Sequence, residues 1–360
     1  MIKTTYHAPF RAFVSVLVCA ALVATIFAGC ANKGDTRLAV DKQGKTVVER
    51  YGHLKVVGTK LCNEAGEPVQ LRGMSSNGLQ WAGKYANKAV ITWLRDEWNS
   101  QLWRAAMYLT EGGYIVGPRL KQKVIDSVEA ARDAGVYVLI DWHVMLDRNP
   151  NAYKEQAVEF FTEMAERYGE LPNVIYEICN EPNGDDVTWD EEIKPYAETV
   201  IAAIRKIDPD NIIVVGTPSW SQHVDKAADN PVTGYDNIMY TLHFYGGTHG
   251  QDLRDKAVYA MDKGIALFVT EWGTTLSTGD QFRPVETLAW IEFMDKHGLS
   301  WANWSVANDG KDSSILTYNA DREGKGAWTE DQISASGKFV RGLLRNENPK
   351  RLVKEATKGK

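Results

Sequence analysis

The feature that most constrains this chain is a repeated change of rhythm. Between about residues 51 and 345, short β-rich runs alternate with longer segments of helical spacing. The short runs are Val69–Met74, Leu102–Tyr108, Tyr137–Asp141, Val174–Ile178, Ile212–Gly216, Ile238–His243, Leu267–Glu271 and Ser300–Trp304. Among the segments between them, Pro118–Ala134 opens on proline and sets Leu120, Val124, Ile125 and Val128 on one helical face. Ala157–Tyr168, Glu191–Lys206, Leu253–Lys263 and Val285–His297 behave likewise, and Val224–Ala228 is only weakly helical. Eight strands alternating with helices predict an α/β fold, a parallel sheet covered by helices. The count and the size fit a (β/α)8 TIM barrel. The alternative is an open doubly wound sheet, but no G-x-G-x-x-G follows the first strand and no P-loop is present. Ahead of the first run, Leu54–Val57, Lys60–Cys62 and the turn Asn63–Pro68 read as an N-terminal β-hairpin at the barrel bottom. With no internal repeat, residues 51–345 form one domain.

The flanks read differently. Residues 1–29 carry Lys3 and Arg11, no acid, and an apolar run from Ala12 to Ala28 that ends at Ala28-Gly29-Cys30. A positive start, an apolar middle and small residues before a cut make a secretory signal. Small residues followed directly by cysteine resemble the bacterial lipoprotein signal, in which Cys30 becomes the lipidated first residue. Phe27 stands where that motif prefers an aliphatic residue. Simple secretion and a retained membrane helix are the alternatives, since about 17 apolar residues is the lower limit for spanning. The expected location is therefore an exported lipoprotein on the periplasmic or cell-surface face. Residues 30–50 are polar with little periodicity and read as a tether. Residues 346–360 read as a basic C-terminal tail; from Arg341 to Lys360 there are seven Lys/Arg against two Glu.

Composition narrows the partners. Loss of Lys3 and Arg11 with the signal moves the net charge from −6 to −8, against nucleic-acid binding. In the folded part only Cys62 and Cys179 remain, which excludes a disulfide framework. No pair of histidines has zinc-like spacing, so no catalytic metal is expected. The 12 Trp and 15 Tyr exceed what a core of this size needs and suit a surface that stacks on sugar rings.

In a (β/α)8 barrel the chemistry sits at the carboxyl ends of the strands. Those ends carry Asn77, Trp81, Arg104, Tyr108, His143, Asn180, Glu181, Trp220, His243, Tyr245, Glu271 and Trp304. Glu181 and Glu271 therefore face one mouth from the fourth and seventh strands. Two carboxyls among aromatic platforms are what hydrolysis of a glycosidic bond requires: one protonates the leaving oxygen, the other attacks or stabilises the anomeric carbon. The blander readings are a buried ion pair at Arg104, core histidines at His143 and His243, and packing tryptophans. Glu177, inside its strand four residues before Glu181, reads as structural, and Trp98, Trp103, Trp189 and Trp290 read as core.

The block Val174-Ile175-Tyr176-Glu177-Ile178-Cys179-Asn180-Glu181-Pro182-Asn183 resembles the signature of glycoside hydrolase family 5. Leu71–Ser76, Tyr137–His143, Tyr240–Tyr245, Phe268–Trp272 and Trp301–Ser305 are similar to the corresponding blocks of that family's bacterial endo-β-1,4-glucanases, in the same order, from about Tyr51 to Leu344. The resemblance implies Glu181 as acid/base and Glu271 as nucleophile. It implies Asn180 on the sugar 2-hydroxyl, Arg104 and Tyr245 orienting the nucleophile, and His143 and His243 lining the cleavage subsite. Trp304, Trp81 and Trp220 match sugar platforms. Two positions depart from the pattern. Asn77 stands where histidine is usual, and after Trp304 the stretch Asn308-Asp309-Gly310-Lys311-Asp312 leaves Lys311 as the candidate for the substrate-binding lysine. The expectation is a retaining endoglucanase on cellulose-like or mixed-linkage β-glucan, a monomer without cofactor, anchored to a membrane through Cys30. A mannanase, xylanase or xyloglucan-specific relative is the alternative within enzymes, and a non-catalytic glycan-binding lipoprotein the one outside them.

Overall fold

The structure, a computed structural model, describes residues 1–2 and 37–358; the signal segment and Cys30 lie outside the described residues. Two short strands, β1 (Lys55–Val57) and β2 (Lys60–Cys62), pair antiparallel. Eight more form a closed parallel barrel: β3 (Arg72–Ser76), β4 (Leu102–Tyr108), β5 (Tyr137–His143), β6 (Val174–Glu177), β7 (Ile213–Val215), β8 (Ile238–Tyr245), β9 (Leu267–Gly273) and β10 (Trp301–Val306), with β10 closing on β3. The predicted TIM barrel is the observed one. Every residue of β3 to β10 is buried except Tyr245 and Trp304, which are partly open at the mouth. Strands covered on both faces read as apolar runs. The charged residues inside them need a partner in the barrel.

Helices Lys121–Ala134, Lys154–Tyr168, Lys194–Arg205, Gln251–Asp262 and Pro284–His297 ring the sheet where the spacing places them. Lys88–Trp98, absent from the sequence reading, also covers the barrel, with Asn87 accepting from Val90 N at its start and Asn99 left-handed at its end. The first barrel strand is shifted from Val69–Met74 to Arg72–Ser76, because Val69 pairs with the hairpin through Leu61 O at 2.9 Å. Trp98, Trp103, Trp189 and Trp290 are buried, as expected.

The hairpin lies against the amino ends of the barrel strands. Val56 N donates to Asn237 Oδ1 at 2.9 Å, one residue before β8, and Lys60 Nζ donates to His297 O at 2.5 Å, just before β10. Two boundaries need correction. The tether expected over residues 30–50 is, from residue 37, docked on the barrel bottom: Ala39 N donates to Asn99 Oδ1 at 2.6 Å and Gln101 Nε2 to Leu38 O at 3.1 Å. Thr46 and Glu49 form a capping box for helix Val47–Tyr51, which buries Val47 and Tyr51. Likewise the basic tail folds as helix Pro349–Ala356, with Leu352 buried against Gly342. Ala39, Val47 and Tyr51 are the buried apolar residues of this described segment, too few and too widely spaced to give a periodic signal.

Candidate active site

Register brings the polar strand residues together. In the parallel ladder Asp141 stands opposite Glu177, Tyr108 opposite His143, and His243 opposite Glu271. Beyond β6 the chain runs on along β5, with Asn180 N donating to Trp142 O and Glu181 N to Val144 O, both at 3.2 Å. Asn183 Nδ2 fixes the next turn through Met145 O at 2.7 Å. These bonds set Asn180 and Glu181 over the barrel mouth.

Arg104 is the hub. Fully buried, it reaches Glu177 Oε2 through Nε at 2.7 Å, Glu271 Oε2 through Nη1 at 3.1 Å, and Asp141 Oδ2 through Nη2 at 3.0 Å. Nη2 also donates to Asn180 Oδ1 at 2.6 Å. A guanidinium offers five donors in a rigid fork and suits this convergence. Burial disfavours its charge, but Asp141, Glu177 and Glu271 outweigh that and hold it firmly protonated. One cation for several carboxyls leaves negative charge in excess. Burial, partly offset by Arg104, pushes Asp141 and Glu177 each up to about 7.

Glu271 accepts from Tyr245 Oη at 2.7 Å on Oε1, so both its oxygens are held. Glu181 has no such support. Its Oε1 meets His243 Nδ1 at 2.9 Å, and burial, then the charge of Glu271, raise its pKa well above the usual carboxylate range. The two glutamates thus sit in different surroundings, Glu271 held through both oxygens and Glu181 raised in pKa. His243 is kept neutral by burial and by Arg104. His143, its Nδ1 2.6 Å from Asp141 Oδ2, is pushed down to about 3 by the same two causes.

A cleft of about 460 Å³ opens above the pair, lined by Tyr108, His143, Glu181, Trp220, His243, Tyr245, Glu271, Trp304 and Lys311 among others. Tyr108, His143 and Trp304 form a stack, with centroids 4.0 and 5.4 Å apart. Trp220 is 44% exposed, large for an indole. It is presented by three consecutive left-handed residues, Ser219, Trp220 and Ser221 (φ 58°, 58° and 57°). That backbone costs about 1–2 kcal/mol per residue. It is held by Trp220 N on Pro182 O and Ser221 Oγ on Asn180 O, at 3.1 and 2.6 Å. On the opposite side Trp81, 57% exposed, edges Tyr108. A smaller cavity of about 140 Å³ there is lined by Asn77, Trp81, Tyr85, Asn308 and Asp309. Asn77 Nδ2 donates to Asp309 Oδ2 at 3.1 Å, and Lys311 Nζ bridges both oxygens of Asp280 at 3.1 Å on the cleft wall.

Of the predicted site residues, His143, Glu181, Trp220, His243, Tyr245, Glu271, Trp304 and Lys311 line the cleft, Asn77 and Trp81 line the smaller cavity, and Arg104 and Asn180 lie buried beneath, while Cys30 lies outside the described residues. Asp141, Thr270 and Asp280 were not anticipated. Asp141 had a signal: it stands two residues before His143 on one face of a strand. Thr270 and Asp280 had none. Glu181, His243 and Glu271 each offer a ligand atom within 4.8 Å of the others. Their atoms are already engaged, by Tyr245, Arg104 and Thr270, and Arg104 supplies the cation next to Glu271. That donor set fits acid–base chemistry better than a metal ion.

Residues 46–310 match the family described as Cellulase (glycosyl hydrolase family 5). The chain is 53% identical over 301 residues to Endoglucanase A of Evansella cellulosilytica, covering 83% of this chain and 61% of that protein. It is 52% identical over 299 residues to an endoglucanase of Clostridium saccharobutylicum, covering 82% and 66%. The chain thus spans about three-fifths to two-thirds of these relatives. A solved structure from Cytophaga hutchinsonii superposes with a TM-score of 0.81 at 48% identity, covering 84% of this chain and 97% of that one. With the barrel, the paired glutamates and the matched sequence in agreement, this chain belongs to the family Cellulase (glycosyl hydrolase family 5).

Proposed function

We propose that the protein is a retaining endo-β-1,4-glucanase acting on cellulose-like or mixed-linkage β-glucan. The observation that carries the mechanism is the gap between the two carboxyls: an oxygen of Glu181 and one of Glu271 lie within 4.8 Å. Retaining glycosidases keep their carboxyls ~5–5.5 Å apart, whereas inverting ones leave ~6.5–9.5 Å for a water between them. Glu271, held by Arg104 and Tyr245, attacks the anomeric carbon as Glu181 passes its proton to the departing oxygen. A water then gives a proton back to Glu181 and its oxygen to the sugar, which frees Glu271. Asn180, fixed by Arg104 and by Val144 O, presents its amide to the sugar 2-hydroxyl. Trp304 stacks on the reacting ring, with Trp81 and Trp220 on either side. No cofactor enters either step.

The substrate class is supported by the relatives named endoglucanase, and the mouth, with platforms on both sides of the break, suits cleavage within a chain. A product profile on defined β-glucans, β-mannan and xylan tests it. Release of internal fragments from carboxymethylcellulose is expected, and preferential hydrolysis of mannan or xylan would move the protein to another glycan. No release from any of them would make it a binding protein. We further propose that it acts as a monomer anchored to a membrane by lipid on Cys30. The Cys30→Ala protein should lose palmitate labelling and keep its activity.

A further inference from the structure

Glu177 is fully buried and does not line the cleft, yet a chain of hydrogen bonds connects it to Glu181. Its Oε2 accepts from Arg104 Nε at 2.7 Å, and its Oε1 accepts from Thr270 Oγ1 at 2.5 Å. The same Thr270 oxygen lies 2.8 Å from His243 Nε2, and His243 Nδ1 lies 2.9 Å from Glu181 Oε1. All four side chains are buried, so each hydrogen must be accounted for within the chain.

With Glu177 ionised beside Arg104, the hydrogens fall in one order. A threonine hydroxyl carries one hydrogen, and Thr270 gives it to Glu177. Its oxygen can then only accept, so His243 Nε2 carries the ring hydrogen. In neutral imidazole Nδ1 is left as a bare acceptor, and the hydrogen across the 2.9 Å contact belongs to Glu181. We propose that Glu177, through Thr270 and His243, is a positioning residue that fixes the histidine tautomer and thereby keeps the proton on Glu181. The proposal rests on the reading of Glu181 as the acid/base.

The opposite arrangement also balances: Glu177 protonated, both hydrogen bonds reversed, and His243 Nδ1–H donating to an ionised Glu181. Surrounding charges choose between the two. Arg104 touches Glu177 directly, and Asp141 on β5 shares that guanidinium. Glu181 faces Glu271 on β9, with Arg104, Glu177 and Asp141 further off. Burial, then Arg104, His143 and His249, favour the neutral ring of His243. A cation at Glu177 and an anion at Glu181 both place the proton on Glu181. Once Glu181 has protonated the leaving oxygen, its carboxylate meets the bare Nδ1, which donates nothing to stabilise it. Glu181 therefore stays basic enough to take the proton of the incoming water, and no proton need cross the chain.

Thr270→Val cuts the chain at nearly constant volume, and Thr270→Ser keeps the hydroxyl. In Thr270→Val, Nε2 has lost its acceptor, so Nδ1–H turns to Glu181 and stabilises the carboxylate. The basic limb of kcat/KM on cellotetraose should move down by about one pH unit, a shift worth tenfold in protonation. The rate near neutrality should fall roughly 10- to 100-fold, the share of a general acid. Hydrolysis of 2,4-dinitrophenyl β-cellobioside, whose leaving group needs little protonation, should change little, and Thr270→Ser should restore both readouts. An unmoved limb, or equal losses on the two substrates, overturns the proposal. A fold-independent reading comes from ¹⁵N NMR of the histidine-labelled wild-type protein: Nε2 of His243 should be protonated and Nδ1 bare, and the reverse overturns it. If Glu181→Ala loses the activated substrate as completely as cellotetraose, the acid/base reading itself fails; if it spares that substrate while Thr270→Val leaves the limb in place, only the chain fails.

Discussion

At the amino end of the barrel Arg72 is almost fully buried, and its partners are Gln70, Leu343 O, Asn346 and one half-exposed carboxylate, Asp295 at 2.5 Å. At the carboxyl end Arg104 is surrounded by three carboxylates at 2.7–3.1 Å, with Glu181 beyond them. Burial lowers Arg72 to about 10, whereas its anionic neighbours hold Arg104 well above the ordinary arginine range. The first arginine is matched by mostly neutral acceptors and ties the hairpin end to the C-terminal helices. The second is outnumbered. Buried charge at the bottom is balanced for stability, while at the mouth an excess of negative charge is maintained, and burial together with this excess raises the pKa of Glu181 beside Glu271.

The contrast can be broken from either end. Glu271→Ala removes the proposed nucleophile and should cost roughly 10⁴-fold or more in kcat on every substrate, with the melting temperature close to wild type in a calorimetric scan. Arg104→Met should damage both properties: three carboxylates lose their cation, a loss of about 3–5 kcal/mol by denaturant titration, together with most of the activity. If Arg104→Met stayed as stable as wild type, the carboxyls would be neutralising one another without it. Trp304→Ala should lower kcat/KM by roughly 10-fold or more through the lost stacking face, without altering the far-ultraviolet dichroism; unchanged turnover would return Trp304 to packing. Arg72→Met should do the reverse, costing about 1–3 kcal/mol of stability while kcat/KM of the folded protein stays the same.

The pH profile sharpens the same contrast. In the proposed mechanism Glu181 acts in its protonated form, and burial with the Glu271 charge raises its pKa. Activity on cellotetraose should therefore persist above the usual carboxylate range and be lost as pH rises through that raised value. In Glu181→Ala, measured on the dinitrophenyl substrate, this basic limb should vanish. A limb of unchanged position would assign it to another group.

Much of this was legible in the sequence because it is local. Each barrel strand carries its own apolar run; Glu181 follows β6 by four residues and Glu271 stands in the last half of β9, beside Asn180 and Trp272. Arg104, a charge inside a buried strand, announced that it needed a partner, but not which: Glu177 and Glu271 lie 73 and 167 residues away. Thr270 is one of several threonines and gains meaning only from register, which puts His243 beside β9. Helix Lys88–Trp98 escaped because Val90, Ile91, Thr92 and two tryptophans blur its period with β-forming residues. The shift of β3 was hidden because Val69 and Leu71 are as apolar as a strand yet serve the hairpin and the barrel bottom.

In the proposed mechanism the two glutamates divide the labour, and azide rescue tests that division most directly. With an activated aryl β-cellobioside, Glu181→Ala should still form the glycosyl–Glu271 intermediate, and azide should capture it from the β face to give the β-glycosyl azide. In Glu271→Ala, azide entering the vacated space should give the α-glycosyl azide. The opposite stereochemistry in the two variants would exchange the roles of Glu181 and Glu271, and full activity in either would contradict the site.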